Sequence, residues 1–247
     1  MTSLSPTVGD RFRAAVRAAV CAELGHDLPS GTSVVGSPGR SGSKIAVAYP
    51  MGDQTVIWCA PEVAPLLASL EGRPPLSNED FVEAGVALGG APGGRGRFRV
   101  LEGMPSAHDI TSSRVRSLDR DQVEDRAVIA EFIAACPSED RDEAELDIDD
   151  LDPVILAVLD DAGAAAALAY ARPWDYDDGF DDIAIITRPS CRGQGLGAAA
   201  VAALARQQQA RGRRMLYNCD VDNVGSNRLA ESLGFTVVQS VASVRFS

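Results

Sequence analysis

The chain has 247 residues, 45% of them hydrophobic and 23% charged, a globular mix long enough for two ordinary domains. Its net charge of −12 falls mostly on residues 111–247, where 14 Lys and Arg face 24 Asp and Glu; this argues against nonspecific nucleic-acid binding and for cationic small molecules as partners. No apolar run approaches the ~18 residues of a membrane span, no basic-then-apolar leader opens the sequence, and five cysteines without a CxxC pair fit free thiols, so a cytoplasmic protein away from the membrane is expected.

In chain order, Phe12, Val16, Val20 and Leu24 recur every fourth residue and predict a helix over 9–24. The segment PSGTSVVGSPGRSGSK reads as a loop around a short strand. KIAVAYP and QTVIWCA flank MGD as a hairpin, with Ile57 and Trp58 supplying apolar bulk. PEVAPLLASLEG and SNEDFVEAGVALGG predict short helices, the second capped by Ser77 or Asn78, and RFRVLEG a strand. These elements form an α+β domain over residues 1–105, of unread role. The polar stretch MPSAHDITSS (104–113) is the expected boundary.

The second domain spans 113–247. RVRSLDR predicts a strand, and DQVEDRAVIAEFIAACP an amphipathic helix stopped by Pro137. EDRDEAELDIDDLD (139–152), with nine acids and one arginine, reads as a solvated face or loop or as substrate attraction. PVILAVLD, AAAALAYARPW and FDDIAIITRP predict three strands, followed by the helix LGAAAVAALARQQQARG, the strand RMLYNCDV, the helix GSNRLAESLG and paired strands in FTVVQSVASVRFS. Helices interleaved with a mixed, mostly antiparallel sheet define an α+β fold. His26 and His108 sit outside any metal-ligand spacing, so no metal is expected.

Chemistry concentrates where a strand hands over to a helix, at RPSCRGQGLGAAAV (188–201). A helix N-terminus offers unpaired N–H groups and partial positive charge, and glycines let that backbone approach a bulky anion. Gly193, Gly195 and Gly197 would line such a cradle, with Arg192 adding a guanidinium matched to phosphate oxygens. A pyrophosphate is the natural ligand. The spacing G-x-G-x-G is not the Rossmann G-x-G-x-x-G, and GSPGRSGSK (36–44) fails as a Walker A loop because Lys44 does not follow Gly42 directly.

TRPSCRGQGLG resembles the acyl-CoA-binding motif of the GNAT superfamily of N-acetyltransferases, through Pro189, Arg192, Gly195 and Gly197. Downstream, NVGSNRLAESLGF (223–235) is similar to the family's second motif through Asn223, Leu229, Leu233, Gly234 and Phe235. The resemblance covers residues 113–245. It implies an acetyl-CoA site. The backbone of Ile185, Ile186 and Thr187 would pair with the pantetheine arm. The stretch Arg192, Gly193, Gln194, Gly195, Leu196, Gly197 and Ala198 would hold the pyrophosphate, and Asn223 would lie near the pantetheine or thiol end. Arg188 and Arg228 are further candidate cations or ordinary solvated arginines.

Transfer of the acyl group to an amine needs a base for the ammonium proton, and the resemblance points to a strand carboxylate: Asp181, with Asp182 as runner-up. The family's thiolate-protonating tyrosine is replaced by Ala230, which leaves Tyr217 or water as the donor. Cys191 and Cys219 lack a histidine partner and read as inert thiols. Trp174 and Tyr176 either line an acceptor pocket or pack the strand end. The expected function is acetyl transfer to a primary amine on a small molecule through a ternary complex, and the resemblance implies a homodimer. The alternatives are a non-catalytic acyl-CoA-binding or sensor protein and, in third place, a binder of ATP or NAD.

Overall fold

The computed structural model describes residues 7–106, 114–144, 146, 155–174 and 179–247. Two compact units emerge: unit 1 is residues 1–99, 218–224 and 237–247, and unit 2 is residues 100–217 and 225–236.

In unit 1, α1 (Val8–Leu24) starts with a capping box in which Thr7 and Asp10 bond each other's backbone amides, and ends at Gly25 in the left-handed region. Strands β1 (Gly31–Gly36), β2 (Ile45–Pro50), β3 (Gln54–Cys59), β4 (Ala91–Leu101) and β10 (Phe235–Arg245) lie in the order β1-β3-β2-β10-β4. The hairpin β2–β3 forms as expected, Val47 facing Trp58. Pairing of β1 with β3 is parallel, and β10 runs antiparallel to β2, Ala242 facing Ala48. The segment 61–72 winds into a 3-10 helix, Ala64–Leu70, and α2 (Asn78–Ala87) is capped by Ser77 with Asp80. Ala46, Ile57, Leu67, Phe81, Ala242 and Val244 meet in one core cluster.

Two expectations need correction here. FTVVQSVASVRFS is one continuous strand, not a pair. The strand predicted from RFRVLEG begins six residues earlier, at Ala91, through APGGRG. Glycine weakens a strand intrinsically, but a Cβ at Gly93 would come within 2.3 Å of Ser243 Oγ, so this segment must lack one to lie beside β10.

Unit 2 holds β5 (Val115–Leu118), α3 (Val123–Ala134), α4 (Ser138–Glu143), β6 (Ile155–Leu159), β7 (Ala165–Pro173), β8 (Phe180–Thr187), α5 (Leu196–Ala210), β9 (Arg214–Asp220) and α6 (Val224–Leu233). The strand order is β9-β8-β7-β6-β5; β8 and β9 are parallel and the other three pairings antiparallel. The first part of the acidic run is helical, as α4, with no buried residue, a solvated face. One group of side chains, including Leu118, Ile129, Phe132, Leu168, Tyr170 and Ile186, forms a core with α3. Helix α5 packs on β6, β7 and β8. Its buried Ala198, Ala199, Ala200, Ala202 and Ala205 explain how β7, AAALAYARP, is a strand despite alanine's helix preference: small side chains let helix and sheet approach closely. The arrangement is α+β, a mixed sheet flanked by helices.

Candidate active site

Between β8 and α5 the chain turns through a short 3-10 segment, Pro189–Cys191, and then Arg192 to Gly195. Gly193 and Gly195 have φ of +74° and +76°, the left-handed region that side-chain-bearing residues avoid, and a Cβ on either would meet nothing within 4 Å. The ground above them is open. The first helical bond of α5 runs from Ala199 N–H to Gly195 O at 3.0 Å, so the amides of Leu196, Gly197 and Ala198 precede any acceptor within the helix. Gly195 caps the helix without a side-chain bond, leaving those donors for an outside group. Gly197 has a different reason to be glycine: a Cβ there would sit 2.7 Å from Thr187 Oγ1 and 3.3 Å from Leu229 Cδ1. It lets α5 close onto the end of β8 and onto α6. The site therefore fits a diphosphate.

Beside the cradle the sheet opens. Strand β8 pairs with β9 at Phe180–Arg214, Asp181–Met215 and Asp182–Leu216, and the register goes no further. On its other side β8 pairs with β7 through Thr187. Ile185, Ile186 and Thr187 thus present a backbone edge that β9 does not cover. This geometry matches an extended arm lying along β8 and ending at the fork by Asp182.

Asp181 is buried, 2% exposed, and both its oxygens are engaged. Oδ2 accepts from Gln208 Nε2 at 2.6 Å, while Oδ1 accepts from Arg213 Nε at 2.9 Å and Nη2 at 2.5 Å. Arg213 also donates to Phe180 O, and Arg211 holds Gln208 at 3.1 Å. This network ties the start of β8 to the end of α5, the end remote from the cradle. Asp182, half-buried on the opposite face, sits across from Arg172 on β7 and Leu216 on β9, where the strands part. Tyr217 follows on β9; its ring is 2% exposed and packs edge-on against Phe235 at 5.5 Å. Ala230 is fully buried on α6. Asn223, whose amide bonds Asp220 O at 3.2 Å, falls in unit 1.

Arg192 is anchored by Nε to Thr187 O at 3.2 Å, and its Nη2 lies 2.5 Å from Asp140 Oδ2 of α4. Sequence spacing gave no sign of that pair, which joins residues 52 apart. Arg188 bonds Ala165 O and lies 3.7 Å from Asp160, so it braces the β6–β7 turn. Arg228 is exposed. Cys136, at the end of α3, is pushed up in pKa by burial and by Asp140, against the opposing effects of Arg188, Arg192 and Arg141. Trp174 is 9% exposed and packs edge-on against Phe180 at 5.8 Å; Tyr176 lies outside the described residues. All five cysteines are free, and among the described residues no group of three His, Cys, Asp or Glu side chains could hold a metal. No helix among those residues is long and apolar enough to cross a membrane.

An open glycine turn at a helix N-terminus, set beside a forked β8–β9 pair, is the candidate site of this α+β unit. Residues 122–235 match the model of the acetyltransferase (GNAT) family. No curated protein matches the chain. Among solved structures, a GNAT-family acetyltransferase from Colwellia psychrerythraea is similar with a TM-score of 0.52 and 15% identity, covering 77% of this chain and 76% of its own. A GCN5-related N-acetyltransferase from Sphaerobacter thermophilus gives 0.51 and 17%, covering 68% and 56%. A GNAT-family protein from Novosphingobium aromaticivorans gives 0.46 and 19%, covering 62% and 65%, so this chain spans just under two thirds of that protein's length. At such identities the first two likenesses establish the fold.

Proposed function

We propose that the chain is an N-acetyltransferase that moves an acetyl group from acetyl-CoA to a primary amine on a small molecule, directly, within a ternary complex. The observation that carries this reading is the conjunction of the open Gly193–Gly195 cradle with the uncovered β8 edge at Ile185–Thr187. The amides of 193–198 would hold the pyrophosphate and the β8 edge the pantetheine, which would bring the thioester towards the fork. The acidic balance of residues 111–247 favours a cationic acceptor.

Of the two strand carboxylates, Asp182 is the better base on this reading. It stands at the fork, whereas Asp181 is held by Arg213 and Gln208 towards the end of α5 remote from the cradle. Asp182 would accept the proton of the incoming ammonium, the amine nitrogen would attack the thioester carbon, and the thiolate would leave with a proton from Tyr217 or water.

The test is calorimetric titration of the wild type and Gly195→Asp with CoA, acetyl-CoA, ATP and NAD. CoA and acetyl-CoA should bind the wild type, and the variant should lose about a hundredfold or more in affinity, because it puts a carboxylate beside the phosphates. Equal affinity in a folded variant refutes the cradle assignment. Asp182→Asn should then cut turnover with an accepted amine about 100-fold or more and leave acetyl-CoA affinity unchanged; unaltered turnover removes Asp182 as base. Ala230, fully buried at the family's tyrosine position, favours the second reading of a non-catalytic acyl-CoA-binding protein. Tight binding with no turnover across an amine screen selects it.

A further inference from the structure

The cradle's own arginine is already paired. Arg192 reaches from the turn to Asp140 and so ties α4 to the loop before α5. The Arg192 side chain is 51% exposed and that of Asp140 26%, so solvent and solutes reach the guanidinium past the pair. Nε remains fixed to Thr187 O, which leaves the terminal nitrogens as the part able to change partner. Asp140 is also near enough to Cys136 to raise the pKa of its thiol while Arg192 lowers it, so the carboxylate and the guanidinium act on the same small volume.

Resting on the acyl-CoA reading, we propose that Asp140 is a resident anion that a ligand phosphate displaces from Arg192, and that Asp140 thereby weakens CoA binding. CoA carries roughly −4 charge, so an aspartate at the cradle repels it as well as occupying its arginine. Exchange of Asp140 for phosphate keeps Arg192 paired throughout and frees α4 from the loop. Asp140 is a residue that sets donor affinity without touching the reacting atoms.

The experiment is CoA titration by calorimetry on four proteins: wild type, Asp140→Asn, Arg192→Gln and the double variant. Asp140→Asn should bind CoA about five- to tenfold more tightly than wild type. In the Arg192→Gln background the same change should gain less than about twofold, because the arginine it was blocking is gone. Asp140→Ser serves as the replacement if the asparagine variant does not fold. Unchanged or weaker binding by the Asp140 variants, with CoA bound normally by wild type, overturns the inference. So does an equal gain in both backgrounds, which would make Asp140 a distant field rather than a partner of Arg192. If wild type itself binds no CoA, the acyl-CoA reading fails first and the inference falls with it.

Discussion

Gly197 is where sequence, packing and site meet most tightly, and Gly197→Ala tests that junction. The added Cβ would lie 2.7 Å from Thr187 Oγ1 and 3.3 Å from Leu229 Cδ1, so the hydroxyl must move by several tenths of an ångström or α5 must lift from β8. Overpacking of this kind costs about 1–3 kcal/mol. Alanine returns about 0.4–1 kcal/mol by restricting the unfolded chain. The net expectation is a loss of about 1–2 kcal/mol, or a Tm drop of about 2–8 °C for a chain of this size. Thermal unfolding followed by circular dichroism reads it. Adding Thr187→Ala removes the clashing atom, so the double variant should recover half or more of the loss. Gly193→Ala is the control: nothing lies within 4 Å of its Cβ, its cost of about 1–2 kcal/mol comes from positive φ, and Thr187→Ala should not relieve it. Gly197→Ala as stable as wild type, or a loss that Thr187→Ala leaves undiminished, refutes the close-approach argument.

Asp181→Asn leaves Arg213 without its carboxylate in a largely buried site, and should cost about 2–4 kcal/mol in urea unfolding; a cost below about 1 kcal/mol would mean the network does not hold β8 to α5. Burial pushes the Cys59 thiol up to about 11 from 9.0, with a further push from Glu62 against the pull of Arg40. Below pH 9 its thiolate fraction is then about a hundredfold lower than that of an ordinary thiol, and native-state alkylation at pH 8 should leave it unmodified while unfolded protein reacts. The folded pKa is the higher one, so its contribution to stability is complete below about pH 9 and disappears as pH rises towards 11. Rapid native labelling of Cys59 would contradict that burial.

Local signals were legible in the sequence, and long-range ones were not. Ser77 with Asp80, or the alternation of the β2–β3 hairpin, is decided within a few residues, and the structure agrees. The glycine turn before α5 was legible for the same reason: glycines with positive φ and a helix start all lie between 192 and 198. What a carboxylate does was not. Asp181 was a candidate base through the resemblance; Gln208 and Arg213, which hold it, come 27 and 32 residues later, beyond the reach of local sequence. Asp140 hid inside a run of acids that reads as solvated surface. The glycines of APGGRG carried no strand signal, because nothing nearby shows that they make room for Ser243.

The chain's path has a consequence for its synthesis. Unit 1 begins at the N-terminal side of the sequence, yet Ala48 on β2 waits for Ala242 on β10, and residues 237–247 leave the ribosome only after all of residues 100–217. The half made first is finished last. Until then β2 offers an unpaired edge, a surface open to strand addition from other chains, and closing it requires contacts of the longest sequence separation, which form slowly. Truncation after residue 236 would remove no residue of unit 2, and it would leave unit 1 permanently in that unfinished state.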